Sequence, residues 1–121
     1  MGPYPWAMAL DQELADRIRL LAAADDVEVT EKRMFGGLAF LVGGNLAIAA
    51  SGQGGVLVRV DPDESDELVR TTPATVAVMR GRPMPGWLRV ASAGLADDEQ
   101  LVPWVRRGIA YAAALPRKRP K

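Results

Sequence analysis

Leu10, Leu14, Ile18 and Leu21 recur at helical spacing near the start of the chain and form one apolar stripe. The pattern predicts a first helix from about Asp11 to Ala24, with Asp11 as its cap and Glu13 in its first turn. Asp25 and Asp26 then break the pattern. Glu28 to Met34 alternates weakly, as an extended lead-in or a short strand would. Leu38 to Val42 and Leu46 to Ala50 are short apolar runs joined by Gly43, Gly44 and Asn45, residues that tolerate a hairpin turn. After Ser51 to Gly55 comes Val56 to Val60, in which valines alternate with Leu57 and Arg59. Turns this short allow only antiparallel pairing.

Asp61 to Arg70 changes character. Asp61 suits a cap and Pro62 a first helical position, and Leu68 and Val69 are the only apolar anchors, so a short surface helix is expected. Thr75 to Arg80 and Trp87 to Ser92 read as two more strands. Gly81 to Gly86 (GRPMPG) reads as a loop between them, stiffened by Pro83 and Pro85. Asp97 with Gln100 forms a capping-box pattern before the apolar face of Leu101, Trp104, Val105, Ile109, Ala112 and Leu115. Pro103 implies a helix that starts late, near Val102, or kinks. The order is helix, three antiparallel strands, helix, two strands, helix, which is α+β. The first and last helices carry the stripes able to cover one face of the sheet.

With 121 residues the chain fits one domain, read as an N-terminal extension over 1–9, a domain over 10–116 and a basic tail over 117–121. Fifteen basic residues balance fifteen acidic ones, which argues against a general polyanion binder. No cysteine or histidine is present, so thiolate nucleophiles, the usual zinc ligands and imidazole bases are all missing. This points to a protein that is not an enzyme and uses no cofactor or metal. The lack of cysteine suits a cytoplasmic protein. No apolar run reaches the roughly 18 residues of a membrane span, so no membrane role is expected.

Five features bear on chemistry. Arg33 beside Gly36 and Gly37 suggests an anion nest; the plainer reading is a backbone bend into the sheet with Phe35 packing. Arg82, Met84 and Trp87 on a proline-stiffened loop suggest an interaction site; the plainer reading is a tight connector. The carboxylates between Asp61 and Glu67 lack the spacing of a calcium loop and read as helix-start charges. Arg117, Lys118, Arg119 and Lys121 form a short basic tail that suits a solubilising end or weak DNA contact. Ser51, Ser65 and Ser92 have no histidine to activate them, and their spacing to Lys32 recommends no Ser–Lys pair.

Thr30 to Ser51 (TEKRMFGGLAFLVGGNLAIAAS), VLVRV, Met79 to Val90 (MRGRPMPGWLRV) and Leu101 to Pro116 (LVPWVRRGIAYAAALP) together resemble the TfoX/Sxy N-terminal domain family. The resemblance implies a secretion-chaperone-like α+β fold. Named members act in natural competence, working with the cyclic-AMP receptor protein at particular promoters, and carry a second, C-terminal domain; this chain is read as the first domain alone. The family brings no catalytic residues. The expectation is a regulatory or protein-interaction module using Arg33, Arg82, Met84 and Trp87, with a protein partner such as a transcription regulator. A small anionic ligand held between Arg33 and Arg82 is one alternative, and DNA contact through the tail is another. A homodimer also fits a domain this small.

Overall fold

The computed structural model describes residues 5–34, 36–52 and 54–117, with side chains from Gln12 onward. The elements are α1 (Pro5–Ala22), β1 (Thr30–Met34), β2 (Gly37–Val42), β3 (Asn45–Ala50), β4 (Val56–Arg59), α2 (Ser65–Thr71), β5 (Thr75–Met79), β6 (Arg82–Val90) and α3 (Asp98–Ala114). Short 3-10 turns, Pro62–Glu64 and Ser92–Leu95, precede α2 and α3. All strands join one antiparallel sheet in the order β1-β2-β3-β4-β6-β5. The α+β class holds, and the weakly alternating lead-in is the edge strand β1.

Three local expectations need correction. The first helix starts at Pro5, so Asp11 lies inside it and does not cap it. A proline fits the first helical position because the N–H it lacks would have no partner there. The GRPMPG segment is not a loop. The chain reverses at Arg80 and Gly81, with φ of 52° and 77°, and Arg82 to Gly86 are already strand. Two left-handed central residues make the tight hairpin turn that matches strand twist. The prolines are accommodated because the ladder is irregular there: Val76 pairs with Leu88 but Val78 with Pro83, so Ala77 faces the stretch Met84 to Trp87. The last helix does not wait for Val102. It begins at Asp98 under a complete Asp97–Gln100 capping box and carries Pro103 in its interior.

The main core lies between the sheet and the helices. Leu14, Ile18, Leu101, Trp104, Val105 and Ile109 meet Phe40, Ile48, Val56, Val58, Leu88 and Val90. Strand β3 is buried along its whole length. Its register against β2 slips between Phe40 and Leu41, so Ala47 is an extra residue, and both Ala47 and Ile48 join the helix-side core. α3 sits on this bulge. A Cβ added at Gly108 would lie 2.3 Å from the Ala47 carbonyl oxygen, so only glycine permits the contact. At the end of α3, the buried Asn45 donates from Nδ2 to the Pro116 carbonyl at 2.9 Å and pins the helix to the β2–β3 turn. Arg19 of α1 donates to Glu31 of β1 through Nε at 2.6 Å and Nη2 at 2.8 Å, tying the edge strand to the first helix.

Gly108→Ala separates packing from helix propensity. Propensity alone favours alanine by about 1 kcal/mol. Overpacking against Ala47 predicts instead a loss of about 1–3 kcal/mol in denaturant unfolding. A more stable variant would show that α3 does not touch the bulge.

Candidate functional site

Strand geometry sends alternate side chains to opposite faces. The helices cover one face. The other has a second, smaller core of strand residues only: Ala39, Leu46, Ala49, Leu57 and Ala77. These are at most 4% exposed, because the half-buried side chains of Met34, Leu41, Met79 and Trp87 lean over them. Among the described residues, α3 and the segment after it reach this side only at its rim, through Tyr111, Leu115 and Pro116.

The register sets out the face in rows. Lys32, Ala39, Ala49, Leu57, Arg89 and Thr75 are partners across the six strands. Beside that row, Thr30, Leu41 and Leu46 lead toward the Arg59–Trp87 pair. Met79 opposite Arg82 extends the face at the far hairpin. A groove of about 800 Å³ crosses it, lined by Lys32, Met34, Leu41, Leu46, Arg59 and Trp87, with Leu115 and Pro116 at one end. The Arg59 guanidinium stands 5.0 Å from the Trp87 ring centre and 5.7 Å from that of Tyr111. Such contacts fix a long cationic side chain against aromatic faces.

Charge is sorted by face. Among the described residues, Lys32, Arg59, Arg82 and Arg89 belong to the uncovered face, and no carboxylate does. Glu31 is the sole acidic residue in any strand, and it points to the helix side. Its hydrogen bonds from Arg19 hold its carboxyl below the usual carboxylate range. The zero net charge of the chain therefore conceals a cationic, apolar sheet face.

The four residues singled out from the sequence divide. Arg82 and Trp87 belong to the uncovered face. Met84 is half-buried in the irregular part of β6. Arg33 faces the helix side and lines a small cavity of about 190 Å³ with Gln12, Gly36 and Leu38. Strands β1 and β6 stand first and fifth in the sheet, roughly 19 Å apart at ~4.8 Å per strand. Arg33 and Arg82 thus lie on opposite faces and do not form the shared anion cleft that the sequence suggested. Gly36 and Gly37 serve the backbone: a Cβ at Gly37 would collide with the Ala50 carbonyl oxygen. Phe35 lies outside the described residues, as do Lys118, Arg119 and Lys121 of the tail. Arg117 packs beside Gly43. Asp61 caps the turn before α2 by accepting from the Asp63 N–H at 2.9 Å. No group of three or more potential metal ligands gathers among the described residues.

Sequence reasoning missed Lys32, Met34, Arg59, Met79 and Arg89 as members of a site. The available signal was alternation. Arg59 follows the core residue Val58, and Arg89 lies between the core residues Leu88 and Val90.

Ser65 positions this surface from behind. It is buried, and its Oγ accepts from the Gly86 N–H at 2.6 Å, beside Trp87. Ser65→Ala leaves that N–H unpaired in the interior and is expected to cost about 1–3 kcal/mol in denaturant unfolding. The Trp87 indole resonance should shift with it, while that of Trp104 in the main core should not. An unchanged Trp87 signal would show that Ser65 does not hold the irregular strand in place.

No helix is long and apolar enough to cross a membrane among the described residues. A search of curated proteins finds no match. The profile of the TfoX N-terminal domain matches residues 19–112, a span that takes in the sheet, α2 and most of α3. The chain belongs to the TfoX N-terminal domain family.

Proposed function

We propose that this domain is a non-enzymatic, regulatory binding module whose working surface is the helix-free face of the sheet. One observation carries the reading: a second apolar cluster, built of strand residues alone, carries a groove lined by Lys32 and Arg59, and Arg82 and Arg89 stand on the same face with no carboxylate beside them among the described residues. A surface patch of this kind is a common mark of protein association. Tryptophan and arginine are favoured interface anchors, and methionine adapts to the shape of a partner. The sequence contains no imidazole or thiol, which favours binding over chemistry. The resemblance to regulators that work with another protein at promoters supports a protein partner. In this reading Arg82 and Trp87 belong to the working surface, together with Lys32, Met34 and Arg59. Arg33, on the other face, does not.

Site-specific photocrosslinking in the native host tests this. A crosslinking residue at position 32 or 82 is expected to trap partner protein. The same residue at Leu20 or Arg106, exposed on the helix layer, is expected to trap little. Adducts formed from positions 20 and 106, with none from 32 and 82, would place the working surface on the helices.

A further inference from the structure

We infer that the uncovered sheet face receives an acidic amphipathic helix from a partner protein. The inference rests on the reading of that face as the working surface and names the chemistry of its occupant.

Charge gives the sign. Lys32 and Arg89 end the buried row Ala39, Ala49 and Leu57, and Arg59 stands beside it. Among the described residues, no carboxylate lies on the face to neutralise them. A second copy docking by two-fold symmetry would bring the same patch against itself, and so set cations against cations. Like charges facing each other oppose such pairing. Carboxylates from a partner answer this pattern.

Backbone chemistry gives the conformation. The strands beneath the groove already use their N–H and C=O groups on one another. An extended peptide laid over the apolar floor would find no ladder to join, and its backbone groups would lose water without gaining partners. A helix arrives with those bonds made internally and offers a stripe of apolar side chains. The same sheet already takes α1 and α3 in this way on its other face. The four strand spacings from Lys32 to Arg89 are roughly 19 Å, the length of about 13 helical residues.

Single-stranded nucleic acid would also meet cations here, but its binding surfaces rely on several aromatic platforms for base stacking. Among the described residues this face has Trp87 and, at its rim, Tyr111, both already engaged by Arg59. Its remaining apolar surface is aliphatic and thioether.

The test is selection of binders from a random 18-residue peptide library on the immobilised full chain, followed by NMR mapping of a selected peptide. A dT20 oligonucleotide and sedimentation of the protein alone run in parallel. The expected winners combine Asp or Glu with Leu, Phe or Met at helical spacing. They should shift the resonances of Met34, Met79 and Trp87, and bind about tenfold or more weakly to Lys32→Glu/Arg89→Glu. Circular dichroism of the variant guards against misfolding, and Arg106→Glu should bind as the parent does. Winners that map to this face without acidic enrichment, or that bind in extended form, would overturn the inference and leave the working surface standing. Winners that map to the helix layer would overturn both. Tight dT20 binding on this face, a dimer that buries it, or a selection that yields no binder would each defeat the acidic-helix inference.

Discussion

Helix α3 lies directly on β3, with Gly108 over the carbonyl of the bulged residue Ala47. This contact decides which side of the sheet is covered. The bulge turns both Ala47 and Ile48 toward the helices, and α1 packs alongside α3 over the same surface. The described helical segments and their apolar stripes are then committed. A six-stranded sheet has a second face of comparable extent, and there the chain must bury apolar atoms with strand side chains alone. Small residues at Ala39, Ala49 and Ala77 make that workable, since Met34, Leu41, Met79 and Trp87 can close over them. The outcome is a face whose floor is buried while its upper layer stays half exposed.

The electrostatics follow the same division. Several carboxylates stand at helix starts, where Asp61 and Asp97 cap and Asp98 and Glu99 complement the helix dipole, and Asp11, Glu13 and Asp16 lie within α1. Among the strands only Glu31 is acidic, and Arg19 claims it on the helix side. Among the described residues, the four cations of the other face have no such acidic partner on that face. A balanced total thus becomes an unbalanced surface through alternation along the strands.

The sequence displayed much of this fold and little of the site. The hairpins at Gly43–Gly44, the capping box at Asp97 and the short helix after Asp61 follow from local chemistry and are legible one segment at a time. The pairing of β6 with β4 is not, because a contact between Leu57 and Arg89 leaves no local trace. The prolines at 83 and 85 suggested a displayed loop; the left-handed pair Arg80–Gly81 turns the chain earlier and makes those prolines part of a strand. The site was hidden for a related reason. Lys32, Arg59 and Arg89 come from three separate segments and become neighbours only through the sheet register. Motif reading joined Arg33 to Arg82, and strand alternation sent Arg33 to the other face.

The account stands on a sheet face that is open to solvent in the free, folded protein. Relaxation of methyl and indole signals by a soluble paramagnetic agent measures this directly, at a concentration where the protein sediments as a monomer. The methyl groups of Met34 and Met79 and the indole of Trp87 should relax far faster than the methyls of Ile48 and Ile109 in the main core. Equal protection of both sets would mean that something covers the face, and would contradict the account.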